Sequence, residues 1–266
     1  MSKKHISALV VVYNKRCEDS YTCKALKHIN GDNIEVIIYD NSTKDMHNYD
    51  YCKECGWVYL GGDGNKGISK AYNACIDYLK QKEKSGLLCL FDDDTKLQPE
   101  YFDLLQSSFD EDKKMYVPLI LANDKLISPC ILKKGHKVIC FDDAQQALDY
   151  SGDELSAINS CTAIDLSVFD DYRYDENIFL DGVDHVFYVD MRKKGIKPYV
   201  FDYRCHHSFS GVEMPKLKSA VTRFKIYKKD YKYIFRNEKF YYFKLVGKRA
   251  LSLCLKYKTL KCLFLG

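Results

Sequence analysis

Near its start the chain carries a continuous apolar run, Ile6-Ser-Ala-Leu-Val-Val-Val12, that stops at Tyr13-Asn14. A run without polar alternation suits a strand buried on both faces. Ile34-Glu-Val-Ile-Ile-Tyr39 repeats the pattern and ends in Asp40-Asn41-Ser42. Gly86-Leu-Leu-Cys-Leu-Phe91 repeats it again and runs into Asp92-Asp93-Asp94. Each of these strands delivers polar groups at its carboxyl end. Residues 17–29 supply a crossover helix between the first two. After Gly61-Gly-Asp-Gly-Asn-Lys-Gly67, apolar residues recur at Ile68, Ala71, Tyr72, Cys75 and Leu79, the spacing of one helical face. Pro99 fits the first turn of a further helix over residues 100–107. The second half is less regular, with strands predicted at 115–121, 137–141, 157–164 and 197–201 and a helix over 183–194. The alternation predicts an α/β fold with a mostly parallel sheet, whose ligands bind at the carboxyl edge.

With 266 residues, 46% of them hydrophobic, the chain can bury one substantial core. Its first residues lack a signal-peptide pattern, and no apolar stretch approaches the ~20 residues that span a bilayer, which together predict a cytoplasmic protein. The 12 cysteines are scattered through predicted strands and helices and read as reduced, buried thiols. Cys52-Lys-Glu-Cys55 has the spacing of half a zinc site, but no second half completes it. The net charge of +4 conceals an asymmetry. From Met214 onward, 15 Lys and Arg stand against 2 acids, so the preceding part is net acidic.

Four clusters carry candidate chemistry. Asp92, Asp93 and Asp94 repel one another unless exposed or bound to a cation, and they suit a hard divalent metal with positions open to phosphate oxygens. A solvated turn is the alternative. The loop Gly64-Asn65-Lys66-Gly67 leads into a helix and could hold an anion through exposed amides, or serve only as a turn. It is neither a dinucleotide fingerprint nor a P-loop. Asp181 and Asp184 lie at the predicted start of a helix, where acids favour the helix dipole, or where one of them could act as a general base. His206 and His207 follow the last predicted strand and could contact a metal or phosphate.

The order of these pieces is more specific than any one of them. Val11-Val12-Tyr13-Asn14, Ile37-Ile38-Tyr39-Asp40-Asn41-Ser42, Asn65-Lys66-Gly67 with Ala71 and Asn73, and Phe91-Asp92-Asp93-Asp94-Thr95 closely resemble the glycosyltransferase 2 family. Asn159-Ser160-Cys161, and Phe169 to Phe179 leading into Leu180-Asp181-Gly182-Val183-Asp184, resemble the acceptor half of its rhamnosyltransferase-like branch. The resemblance covers about residues 5–211, with Arg236-Asn237 as a further echo.

The resemblance implies a GT-A fold and an inverting sugar transfer from a nucleotide-sugar, such as a UDP- or dTDP-sugar, to a hydroxyl of a polysaccharide or lipid-linked glycan. It places Tyr13 and Asp40 in the nucleoside pocket, and Asn65 and Gly67 beside the diphosphate. Asp92 and Asp94 match a DxD pair that binds Mn2+ or Mg2+, with Asp93 as a possible sharer of that role and of the donor contact. Asp184 falls at the base position, with Asp181 as the competing candidate. His207, or else His206, falls at a metal or diphosphate contact. Ser160, Cys161 and Asp181 fall on the acceptor side. There are two departures, Cys161 for glycine and Val186 for glutamate two residues after the base, and the first, near the acceptor, leaves the acceptor open. The implied organisation is a GT-A domain over 1–213, with a nucleotide-sugar half to about 95 and an acceptor half after it, then a basic, aromatic helical tail over 214–266. Alternatives are a non-catalytic nucleotide-binding subunit, against which Asp92, Asp94 and Asp184 stand, and a sugar nucleotidyltransferase, which would carry a glycine-rich loop where Tyr13-Asn14-Lys15-Arg16 lies.

In the tail, cations alternate with Tyr, Phe and Leu, a pattern that suits peripheral docking at an anionic membrane surface. A helical pair packed on the core or on a second subunit is the other reading. Nucleic acid is disfavoured by the acid clusters of the catalytic half.

Overall fold

The three apolar runs form adjacent parallel strands. In the computed structural model, which describes residues 4–29, 33–122, 124–206 and 217–263, β1 (Ile6–Val12) and β2 (Ile34–Asp40) pair in parallel, as do β2 and β3 (Val58–Gly61). β4 (Leu87–Asp92) pairs in parallel with the other side of β1. The strand order therefore reverses about β1, and the carboxyl ends of β1 and β4 frame a crevice of the kind in which open α/β sheets bind ligands. Beyond β4, β10 (Thr162–Asp165) runs antiparallel between β4 and β5 (Met115–Ala122). β11 (Tyr199–His206) is parallel to β5, and β6 (Lys125–Ser128) folds back on it. The sheet is thus mixed but mostly parallel. A separate three-stranded sheet joins β8 (Lys137–Cys140), β7 (Cys130–Lys133) and β9 (Leu155–Ser156).

Alternate residues of β1 face opposite cores, Leu9 one and Ala8, Val10 and Val12 the other, so burial on both faces accounts for the unbroken apolar run. One face is covered by α3 (Ile68–Gln81) through Ala71, Tyr72, Cys75, Ile76 and Leu79. The other is covered by α1 (Tyr21–Lys27), α2 (Asn48–Cys55) and α4 (Glu100–Ser107), which contribute Cys23, Leu26, Cys52, Tyr101 and Leu105. A short α5 (Ala144–Asp149) and α6 (Val183–Lys193) complete the larger core. Burial of a side chain such as Phe187, which is fully enclosed, contributes about 1.5–3 kcal/mol.

Three predicted elements are corrected, the first being the last strand, which runs over Tyr199–His206 rather than 197–201. Residues 17–29 are not one helix: a 3-10 turn at Cys17–Asp19 is followed by α1, because Ser20 is extended and caps α1 by accepting from the Cys23 amide at 3.1 Å. Residues 157–161 are not strand. Cys161 takes φ +57°, and only Thr162 onward pairs in the sheet. The Cys52-X-X-Cys55 pair lies on α2, with Cys52 buried beside the thiol of Cys17.

The basic C-terminal segment forms two helices, α7 (Leu217–Ile234) and α8 (Lys239–Tyr257), that share a small core of Phe224, Tyr227, Tyr231, Phe235, Ala250 and Cys254. α7 also packs on the α/β body. Tyr233 and Ile234 lie against the larger core, and Asp230, fully buried, accepts the amides of Phe179, Leu180 and Asp181 at 3.0, 2.8 and 2.8 Å. Asp230→Ala leaves three inward amides without an acceptor, and each such loss costs about 1–3 kcal/mol. Urea unfolding should show a destabilisation of at least about 3 kcal/mol.

Candidate active site

The acid turn after β4 is held by α1. Ser20 Oγ donates to the Asp93 carbonyl at 2.7 Å, Thr22 Oγ1 donates to the Asp92 carbonyl, and the Thr95 amide donates to Thr22 Oγ1 at 3.1 Å. With its backbone fixed in this way, the turn leaves Asp92 and Asp94 exposed. Asp93 turns inward to Lys15 Nζ at 2.7 Å. Burial raises the Asp93 carboxyl above its ordinary pKa, and Lys15 opposes the shift. All three acids line a cavity of about 970 Å3, together with Tyr13, Asn65 and Gly67.

Asp40 is 3% exposed. Its Oδ1 accepts the Ser42 amide at 2.9 Å, and its Oδ2 accepts Asn48 Nδ2 at 2.9 Å and the Tyr59 hydroxyl at 3.2 Å. A carboxylate offers about four acceptor directions, so one remains. Asp40 lines a smaller cavity of about 220 Å3, with Ser42, Tyr59 and Gly62.

Three amides of the loop before α3 point into the protein. The Lys66 amide donates to Asn41 Oδ1 at 2.8 Å, the Gly67 amide to Asn65 Oδ1 at 3.0 Å, and the Ile68 amide to the Phe179 carbonyl at 2.7 Å. These donors are committed inside the protein. The loop instead brings the segment before α6 up to the crevice. Gly67 has φ +90°, and a Cβ there would lie 2.6 Å from the Phe179 carbonyl oxygen, so no other residue allows this approach. Ser69 Oγ extends the seam to the Ile178 carbonyl at 2.7 Å, and Asn73 pairs through its side chain with both the amide and the carbonyl of Tyr174, at 3.0 and 2.9 Å.

Gly182 caps α6 at φ +84°, pressed by Ile234 and Tyr231 of α7. Asp184 then sits in the first turn, half-buried. Its pKa is pushed up to about 7, chiefly by burial and next by the negative charge of Asp92, while the Asn159 amide opposes the rise. The structure thus brings Asp184 close to Asp92, although Asp184 does not line the larger cavity itself. Both amide atoms of the Asn159 side chain are buried without a hydrogen bond of normal geometry.

The remaining candidates divide. Asp181 forms an ion pair with Arg223 of α7. Ser160 and Cys161 do not face the cavity. Ser160 Oγ lies 3.0 Å from Thr95 Oγ1, and the fully buried Cys161 Sγ lies 3.8 Å from Cys205 Sγ. Cys161 takes a left-handed φ, which glycine adopts without a steric cost and a side chain adopts only rarely. His207 lies outside the described residues, and His206 is exposed at the end of β11.

Sequence reasoning missed the far wall of the cavity, which is built by α7 through Lys218, Ser219, Thr222, Arg223 and Ile226. The lone Asp230 in a basic helix was the available signal that this segment turns inward.

The sequence model of Glycosyl transferase family 2 matches residues 7–173. The chain belongs to that family. Its fold is that of solved GT-A enzymes. A mannosyltransferase from Pyrobaculum calidifontis, in complex with GDP-Man and Mn2+, superposes with a TM-score of 0.57 at 10% identity, over 88% of this chain and 65% of that one. TarS 1-349 from S. aureus in complex with UDP gives 0.53 at 13% identity, over 87% and 65%. The same protein in complex with UDP-GlcNAc gives 0.53 at 12%, over 94% and 81%. The chain thus spans about two thirds of the length of the mannosyltransferase and of the UDP-bound TarS. No curated protein matches it.

Among the described residues no three His, Cys, Asp or Glu side chains are arranged to hold a metal ion. Mg2+ and Mn2+ do not require such a cage, since one or two carboxylates plus substrate phosphates and water complete their shells. Asp92 and Asp94, exposed on a fixed turn, fit that arrangement.

Proposed function

We propose that this family 2 enzyme transfers a sugar, with inversion, from a nucleoside diphosphate donor to a hydroxyl of a glycan or lipid-linked glycan. The observation that carries the reading is the pairing of two unlike carboxylate environments: an exposed acid turn in a large crevice and, close to Asp92, a half-buried Asp184 whose pKa is raised to about 7. A carboxylate tuned near neutrality suits a general base. In this reading Asp184 takes the acceptor proton as its oxygen attacks the anomeric carbon. Tyr13 and the remaining acceptor direction of Asp40 contact the nucleoside, and Asn65 and Gly67 shape the wall beside the diphosphate. Asp92 and Asp94 would hold the divalent cation, which supplies positive charge to the departing diphosphate. Incubating the protein with UDP-, dTDP- and GDP-sugars, including dTDP-rhamnose, and Mn2+ or Mg2+ tests this. Slow donor hydrolysis with one nucleotide class is expected, and none with any donor would favour a non-catalytic role.

The proposal includes a membrane surface. No helix among the described residues is long and apolar enough to cross a bilayer. α8 nonetheless exposes Phe240, Phe243, Leu251 and Leu255 along one stripe, with Lys244 and Lys248 between them. Such a face suits an anionic interface, where each cation contributes about 1 kcal/mol. The full chain should float with vesicles containing anionic lipid and release in high salt. Phe243→Glu with Leu255→Glu should abolish flotation, and equal flotation with neutral vesicles would refute electrostatic docking.

A further inference from the structure

The cavity that holds the three aspartates has a cationic wall from a helix outside the matched family region. Lys218, Ser219, Thr222, Arg223 and Ile226 fall at i, i+1, i+4, i+5 and i+8, one face of α7, and all line the cavity. Asp230, further along α7, fixes the helix to the backbone of Phe179, Leu180 and Asp181. The wall therefore cannot shift without disturbing the segment that leads to Asp184. Within it, Arg223 pairs with Asp181, yet its side chain stays 41% exposed, against 12% for Asp181. The third cation of the cavity, Lys15, is bound to Asp93 at 2.7 Å. Lys218 and Arg223 thus remain to meet an incoming anion. A guanidinium, planar and carrying five donors, matches phosphate oxygens in a two-pronged contact that an ammonium cannot make.

We infer that Arg223 of α7, assisted by Lys218, contacts the diphosphate of the nucleotide donor, exchanging its Asp181 partner for phosphate oxygens, while Asp230 positions the helix that presents it. The inference rests on the donor reading above and adds a contact from the C-terminal helix to it. Asp181 is then a holding partner that keeps the guanidinium over the cavity until the donor arrives, and it competes with the donor for it.

Calorimetric titration of the full chain with UDP, dTDP and GDP in Mn2+, each beside its nucleoside monophosphate, tests the inference. For the nucleoside diphosphate that binds best, Arg223→Gln should weaken affinity about tenfold, the lower end of what a charge-assisted hydrogen bond contributes. The loss should be smaller for the monophosphate, and Arg223→Lys should recover part of it. Asp181→Asn should tighten the diphosphate, since it releases the guanidinium and removes a like charge. A merely structural ion pair makes the opposite statement, that both substitutions act alike. Equal weakening by Arg223→Gln and Asp181→Asn, or unchanged affinity in Arg223→Gln with its melting temperature intact, overturns the inference and spares the donor reading. If the wild-type chain binds none of the three diphosphates, both fall together.

Discussion

Asp184→Asn should keep its fold and its affinity for nucleoside diphosphate and lose transfer by about 10²–10⁴-fold, the usual contribution of a general base. An amide has nearly the shape of a carboxyl and still accepts the Asn159 amide, so the local structure survives. What disappears is the ability to take a proton. Burial raises the carboxyl of the competing acid, Asp181, above its ordinary pKa, but that carboxyl is already engaged by the Arg223 guanidinium, so Asp181→Asn should retain most of the activity. An inactive Asp181→Asn beside a near wild-type Asp184→Asn would reverse the assignment.

The raised pKa of Asp184 adds a pH signature. The ordinary carboxyl value is 3.8 and the folded value about 7, and the base works only when ionised. Activity must therefore rise with pH through this window. A cation near Asp92 offsets the charge that helps to raise the pKa, so the rising limb of kcat/KM in Mn2+ should lie between 3.8 and about 7. Stability runs the other way. A folded-state pKa above the unfolded one means that the native protein holds the proton more tightly, so this group's stabilising contribution is full below about 4 and is lost as pH rises to about 7. Asp184→Asn removes that loss. In metal-free protein its melting temperature should gain more on wild type at pH 8 than at pH 4.

The parallel half of the fold was legible because burial on both faces writes itself as unbroken apolar runs. β1, β2 and β4 fall within a residue of their predicted limits, and α4 matches residue for residue. β3 was missed because Val58–Gly61 is short and half-buried, and α2 because its apolar pattern is weak. The acid turn could be read from its place after a buried strand. The use of the Lys66, Gly67 and Ile68 amides could not, since their acceptors, Asn41, Asn65 and the Phe179 carbonyl, include groups far along the chain. Cys161 shows the same limit: nothing local announces Cys205 as its neighbour. For α7, the sequence offered both a basic membrane-facing helix and a helix packed on the core, and it could not say that Asp230 and Arg223 would turn one of its faces inward.

Chelation should remove transfer, by about 10²-fold or more, because a cation at a departing diphosphate contributes several kcal/mol of charge stabilisation. The turn after β4 is built for such an ion. Its backbone is pinned by Ser20 and Thr22, one acid is engaged by Lys15, and the two flanking carboxylates are exposed in the same cavity. Repulsion among three neighbouring acids is tolerable in water but wasteful in a closed, donor-filled site, and a divalent ion relieves it while joining the protein to phosphate oxygens. Asp94→Ala should therefore weaken both Mn2+ binding in the presence of nucleoside diphosphate and turnover. Lys15→Met, which frees Asp93 rather than removing a ligand, should leave Mn2+ binding largely in place. Water-proton relaxation with Mn2+ and UDP separates these effects from loss of activity alone. Full transfer in excess EDTA, or Mn2+ binding in Asp94→Ala equal to that of the wild type, would show that the aspartate turn serves the donor by hydrogen bonding alone.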